Sequence, residues 1–359
     1  MEYLKKVFTP KQILWLIISG AVTVVFLAVM FAGIALSKTQ PAQLAASRWS
    51  KDRDCAQISI FFSEMSAHTP DNIRELDFNI DSKLDEKAIA AATKEARRRV
   101  SAYSASGEIA VSSRENEVTV RAIGIGGDYF LFHPLKLIGG SYFDGADLVK
   151  DHIILDRETA SLLFGSSDVV GQPVEIKGKR YYVKGVIEKD TGRLNDLAGN
   201  DSKVVYVDYE TLEECEKKTS LNAYEVLLPS PVSHFGLDIV KDAVTEDATR
   251  YEMVENTGRF SWTRLIKRIT AVGSRSMNSK GIIYPYWENM ARGLEDMITP
   301  LCVIDLILFS FVLVNICVLL VRMYTNRTIH KADIKDFIER RIEKYRKERA
   351  RKKEEGELI

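Results

Sequence analysis

The chain carries no phosphate-cradling G-x-x-x-x-G-K-[ST] loop. Its nearest approach, Gly165-Ser-Ser-Asp-Val-Val-Gly171-Gln172-Pro173, lacks the Lys-Ser/Thr pair and has the wrong spacing. A nucleotide-hydrolysing motor is therefore excluded, because that lysine and the glycine-rich turn are what grip the phosphates. Gly124-Ile-Gly126-Gly127 misplaces the third glycine of a dinucleotide fingerprint. H-E-x-x-H and G-x-S-x-G are both missing. The five histidines, at 68, 133, 152, 234 and 330, are scattered, and each reads as a surface or packing residue rather than a ligand. Lys plus Arg and Asp plus Glu both number 50, so no excess of positive charge points to nucleic acid. The expectation is a protein that is not an enzyme, with no catalytic residue, no cofactor and no metal site.

Cysteine is equally scarce, with four residues. Cys302 and Cys317 fall in apolar sequence, where cysteine acts as small filler. Cys55 and Cys215 lie in the polar middle, and a disulfide between them is left open for an oxidising compartment.

Charge is absent from two long stretches. Gln12 to Leu36 holds none, and neither does Leu306 to Val321. An apolar helix of about 20 residues matches the hydrocarbon thickness of a bilayer. Membrane helices are expected over 12–36 and 297–321, the second with one charge, Asp305, and one amide, Asn315. The apolar core of the first is longer than that of a cleaved signal peptide. Orientation follows the basic flanks. Lys5, Lys6 and Lys11 precede the first helix, and thirteen Lys/Arg against eight Asp/Glu follow the second. The middle, 37–296, holds 34 basic and 40 acidic residues. Residues 1–11 and 322–359 are thus expected in the cytoplasm, and 37–296 outside it. Polar groups in lipid face protein or water, so Asp305 and Asn315 are candidate intramembrane contacts. Asp305 could equally lie near the outer headgroups. Asn315, deeper, could hydrogen-bond to the first helix or another subunit.

The middle reads as α+β. Ala56 to Phe62 alternates like a half-buried strand, and Thr69 to Asp71 marks a turn. Asp85 to Tyr103 has helical spacing at Leu84, Ile89, Ala92, Ala96 and Val100. Strands are expected at 108–111 and 117–125 around the polar turn 112–116. Ile153 to Leu155 reads as a strand, and Arg157 to Phe164 as a helix closed by Gly165. Residues 174–176 and 181–183 flank a hairpin turn, and Val186-Ile187 continue the second arm. Leu194 to Ser202 is a polar loop and Val204 to Val207 a strand. Ala223 to Leu228, Ser233 to Val244 and Tyr251 to Val254 read strand, helix, strand. The stretch 142–210 is then a small β-rich lobe inserted in an α+β body. Ser261 to Asp296 looks helical, and Tyr284, Pro285, Tyr286 and Trp287 form an aromatic belt above the second membrane helix. In the tail, Ile334, Ile338, Ile342 and Tyr345 make a narrow apolar stripe amid Arg340, Arg341, Lys344 and Lys347. Such a helix lies on headgroups or docks a cytoplasmic partner.

One ordered series is more specific. Arg121-Ala-Ile-Gly-Ile-Gly-Gly-Asp-Tyr-Phe is followed by Leu137-Ile-Gly-Gly-Ser-Tyr-Phe143. Then come Thr159-Ala-Ser-Leu-Leu-Phe164-Gly165, Val170-Gly171-Gln172 and Tyr182-Val-Lys-Gly185-Val-Ile187. This succession resembles the extracytoplasmic core domain of MacB-type ABC transporter permeases, a class related to FtsX. It covers Arg121 to Val207, and Trp287 to Arg292 fits it loosely. The resemblance implies a domain between two membrane helices, with an α+β body and an inserted β-rich lobe. It gives Leu163, Phe164, Gly165, Gly171 and Gly185 structural roles.

Family permeases have four membrane helices, and this sequence has two, with no cytoplasmic motif of the second half. The resemblance therefore implies a non-catalytic membrane subunit in a bacterial cell membrane. Its partners would be a separate ABC ATPase, a full-length permease or a second copy of itself, and membrane lipid, but no nucleic acid. Its outer domain would handle a ligand or relay ATP-driven motion. The alternative is a stand-alone membrane-anchored binding or adaptor protein. An external hydrolase is a third class with no motif behind it.

Overall fold

The structure is a computed structural model that describes residues 10–50, 54–90, 97–145, 147, 149–216, 219–274, 278–279, 281–325, 338–339, 341–343 and 345–347. Residues 33–302 form one compact unit, and 10–32 with 303–325 belong to a second. Chain order begins with helix α1 (Pro10–Ser37), a short 3-10 turn and α2 (Ala45–Trp49). Strand β1 (Cys55–Phe62), α3 (Pro70–Glu86), β2 (Val100–Ser112), β3 (Glu117–Gly127) and β4 (Lys136–Gly140) follow. Next come β5 (His152–Asp156), α4 (Arg157–Phe164), β6 (Pro173–Ile176), β7 (Lys179–Glu188) and β8 (Val204–Asp208). The remainder is α5 (Tyr209–Cys215), β9 (Ala223–Pro229), α6 (Phe235–Ala243), β10 (Tyr251–Glu255), α7 (Trp262–Lys267), the small pair β11 (Asn278–Ser279) and β12 (Ile282–Ile283), and α8 (Tyr286–Thr325).

Ten strands make one mixed sheet in the order β10-β1-β9-β2-β3-β8-β5-β7-β4, with β6 paired to β2 and β7. The pairs β3–β8 and β5–β7 are parallel, and the others antiparallel. The stretch expected as a β-rich lobe, about 142–210, supplies β5 to β8 to this same sheet. α3, α4, α5 and α6 cover one face through Ile73, Ile80, Leu84, Leu163, Leu212 and Val240. The other face packs Phe61, Ile125, Phe132 and Tyr206 against Ala45, Tyr284 and Trp287.

Several expectations are corrected. Of the helix expected at 85–103, residues 91–96 lie outside the described residues, 85–86 close α3, which starts earlier at Pro70, and 100–103 are strand. Thr69-Pro70, expected as a turn, starts α3: proline fits the first helical turn, and Asn72 Oδ1 accepts from the Thr69 N–H at 3.0 Å. Ile73, Leu76, Ile80 and Leu84 then recur at three- and four-residue steps and are buried. Val100 to Tyr103 belongs to β2. β1 is buried on both faces rather than one. The segment 261–296 is broken into α7, a 3-10 turn and the β11–β12 pair before α8 begins after Pro285. The region 194–202 contains two short helical turns, not an open loop. The aromatic belt is overturned, since Tyr284 and Trp287 are 3% and 4% exposed in the second core. By contrast, α4 ends as read, with Gly165 in the left-handed region at φ 71°.

Candidate functional site

Strand alternation decides what meets the second face. In β1 the residues Ala56, Ile58, Ile60 and Phe62 join the helix-covered core. Gln57 and Ser59 therefore point the other way, and both are buried. Glu225 of β9 faces the same side, between Tyr224 and Val226 of the first core. These polar side chains must find partners, because an unpaired buried polar group costs several kcal/mol at worst and about 1–3 kcal/mol in protein mutants.

Beside them, linked through Asn256, lies a cluster centred on Arg259, which is 1% exposed. Its Nη1 and Nη2 grip Glu288 Oε2 and Oε1 at 2.5 and 2.8 Å. Its Nε and Nη2 reach Glu295 Oε1 and Oε2 at 3.0 and 3.3 Å. Asn256 Oδ1 accepts from Nη1 at 3.2 Å, and Gln43 Oε1 lies at 3.5 Å. The planar fork of arginine suits such paired carboxylate recognition. Arg268 Nη1 donates to Glu295 at 2.9 Å, and Arg292 bridges Glu288 and Glu252, each at 2.7 Å. Tyr284 closes the cluster, its hydroxyl donating to Glu252 at 2.5 Å and its ring under the Arg292 guanidinium at 3.6 Å. Burial alone would pull the Arg259 guanidinium down, but Glu288 and Glu295 reverse this and hold it above its ordinary value. Burial, then the Glu252 contact, pushes the Tyr284 hydroxyl up to about 12.

A polar chain continues from the cluster across the sheet. Asn256 Nδ2 donates to Ser59 Oγ at 2.7 Å, Ser59 Oγ donates to Glu225 Oε1 at 2.9 Å, and Glu225 Oε2 meets His133 Nε2. His133 lies tilted against Trp287, with centroids 4.3 Å apart, and both line a cavity of about 260 Å³. Among the described residues the buried Trp287 Nε1–H finds no hydrogen-bond partner. Gln57 ties the segment after α1 to the same face, donating to Ala42 O at 2.6 Å and accepting from Ala45 N at 2.9 Å. Four regions thus meet: the segment after α1, β1 with β9, the β10–α7 loop, and the head of α8. The arrangement ties these regions to one another. Among the described residues, no three His, Cys, Asp or Glu side chains are grouped to hold a metal ion.

The residues singled out from sequence lie elsewhere. Asn315 is buried, its Oδ1 3.0 Å from Ser19 Oγ of α1 and its Nδ2 donating to Phe311 O at 2.6 Å. Asp305 is 3% exposed, and among the described residues its Oδ1 has no hydrogen-bond partner. Arg341 and Lys347 are exposed, Lys347 pairing with Glu343 at 3.0 Å, whereas Arg340 and Lys344 lie outside the described residues. The disulfide is contradicted. Cys55 and Cys215 are both free, and they belong to the cores on opposite faces of the sheet. Cys55 Sγ instead donates to Ala46 O at 3.3 Å. Sequence reading missed the Arg259 cluster. Its signal was Glu288, Arg292 and Glu295 at steps of four and three, which place them on one helical face.

A family model described as the MacB-like periplasmic core domain matches residues 16–245, more than half of the chain. The macrolide export ATP-binding/permease protein MacB of Neisseria gonorrhoeae is 29% identical over 101 residues, covering 28% of this chain and 15% of that protein. MacB of Neisseria meningitidis serogroup B matches to the same extent. The chain's match thus spans about 15% of the length of these curated relatives. Among solved structures, the periplasmic region of MacB from Actinobacillus actinomycetemcomitans aligns at TM-score 0.37 and 15% identity, over 56% of this chain and 88% of that one. The extracellular domain of the noncanonic ABC-type transporter YknZ aligns at TM-score 0.36 and 15% identity, over 55% and 99%. With helices long and apolar enough to cross a membrane before and after the sheet domain in chain order, the chain belongs to the MacB-like periplasmic core domain family.

Proposed function

We propose that the chain is a non-catalytic membrane component of an ABC-type transport complex, in which the sheet domain lies outside the cytoplasm and exchanges movement with the membrane helices. Both termini are cytoplasmic in this reading, residues 12–36 and 297–321 span the bilayer, and a separate ATPase supplies the energy. The observation that carries it is the Arg259 clamp. Glu288 and Glu295 stand on the first three turns of α8, and the same helix runs on through the apolar stretch to Thr325. A tilt of α8 would therefore be felt at Arg259, at Gln43 behind α1, and along Asn256, Ser59 and Glu225 to the cavity beside His133. The cavity of about 260 Å³ lined by His133 and Trp287 is the proposed place for a small ligand. The basic tail, Arg340, Arg341, Lys344 and Lys347, is the proposed meeting point with the ATPase or with headgroups.

Mild-detergent extraction and co-purification test this directly. A nucleotide-hydrolysing subunit, with a full-length permease or a second copy of the chain, is expected to come down with it. ATP turnover of that complex should lose its response to added ligand when Arg259, Glu288 and Glu295 are replaced together by methionine. Recovery of the chain without any ATPase would sink the reading and leave the membrane-anchored adaptor in its place.

A further inference from the structure

We infer that α7 and the turn behind it form an interfacial element that lies against anionic phospholipid headgroups beside the second membrane helix. From 257 to 287 the sequence holds six Lys/Arg and no Asp or Glu. That is a reversal within a middle region where acidic residues outnumber basic ones, 40 to 34. The structure pins this segment at one level of α8. Leu265 is buried in a cluster with Leu294, Ile298 and Cys302, against which Phe260 and Trp262 pack. Arg268 donates to Glu295 at 2.9 Å, and the Gly273 N–H donates to Asp296 Oδ2 at 3.0 Å. Asp296 is the last charged residue of α8 before the apolar run, in which Asp305 stands alone until Arg322. The element therefore sits where α8 leaves polar surroundings.

Its inner side is closed and its outer side is not. Arg264 is committed to Glu255, at 2.5 Å to the carboxylate and 2.9 Å to the carbonyl. Ile266 and Ile269 remain 37% and 46% exposed, with the exposed Lys267 between them. Among the described residues Lys267 has no ion partner. Two exposed isoleucines one turn apart with a cation between them suit shallow burial at the headgroup boundary, the lysine reaching outward to phosphate. Arg259, Arg264 and Arg268 are spent on carboxylates within the domain, so the outward charge of Lys267 and continuity with the membrane-spanning helix select the bilayer as the occupant. The inference rests on α8 crossing the membrane and is independent of any ATPase.

The test uses the full chain in nanodiscs of phosphatidylcholine, with and without phosphatidylglycerol. Its cysteines are replaced by serine, and single nitroxides are placed through Ile269→Cys, Leu313→Cys or Lys241→Cys. The label at 269 should favour dioxygen over an aqueous nickel chelate, as at 313 and unlike 241 on α6. Lys267→Glu should narrow the difference between the two disc types. In the chain with its native cysteines, amide exchange over 264–274 should slow about fivefold when phosphatidylglycerol is present, the effect of about one lysine at an anionic surface. Water-like access at 269 in both discs, while 313 stays in lipid, overturns the inference alone. Water-like access at 313 as well overturns the membrane reading beneath it. Unchanged exchange over 264–274 overturns the charge contribution.

Discussion

The two faces of the sheet are built on opposite principles. One is closed by α3, α4, α5 and α6 with aliphatic side chains such as Ile80, Leu84 and Val240. The other carries aromatics and a chain of buried polar groups from His133 to Arg259, Glu288 and Glu295. Apolar packing is non-directional and scales with area. Buried ion pairs return little net stability but hold their partners to one geometry, and breaking one partner is costly. The helix-covered face thus supplies stability. The face that receives α8 supplies a defined attachment.

The largest effect is expected at the attachment. Arg259→Met leaves Glu288 and Glu295 buried without their shared cation and should cost about 4 kcal/mol in denaturant unfolding. Replacing Arg259, Glu288 and Glu295 together by methionine should restore most of that loss. Arg292 keeps Glu252 in the triple variant, and Arg268 is partly exposed. If the triple variant is as unstable as the single one, the cluster contributes stability rather than geometry, and the contrast between the faces fails. Ile80→Ala on the apolar face should cost about 3 kcal/mol, with no compensating second substitution of this kind.

Alkaline titration sharpens the comparison. The Tyr284 hydroxyl is held up to about 12, above its ordinary value near 10. Its contribution is therefore complete below pH 10 and lost as pH rises toward 12, because only the unfolded chain ionises readily there. Tyr284→Phe should remove that part of the loss between pH 10 and 12, measured as the difference between the two unfolding curves. The smallest effect is expected in the second unit. Asn315→Leu breaks the contact with Ser19 and should change stability by about 0.6 kcal/mol, since intramembrane hydrogen bonds are weak on balance.

Local signals carried much of the fold. Gly165 closes α4 where a left-handed residue was needed, and the strands around 153, 174, 181, 204 and 223 form near the expected positions. The helix before β2 shows the limit: Thr69-Pro70 with Ile73, Leu76, Ile80 and Leu84 is a start-and-face pattern that the turn reading passes over, and Val100 to Tyr103, expected in a helix, are strand. The site was harder to see because its partners are distant in the chain: Gln43, Ser59, Glu225 and Arg259 share no local motif. The polar alternation of β1 looked like a solvent face, yet Gln57 and Ser59 are 0% and 1% exposed.

By itself the sequence determined the two apolar helices, the α+β character between them and the family, because hydropathy, turn residues and an ordered motif series act over short distances. Tertiary structure alone decided that Tyr284 and Trp287 belong to the domain core, that Cys55 and Cys215 lie on opposite faces, and that Arg259 joins two glutamates of α8. Those outcomes depend on which face each strand turns toward which helix, and a buried charge is tolerated only where folding brings its counterion into reach.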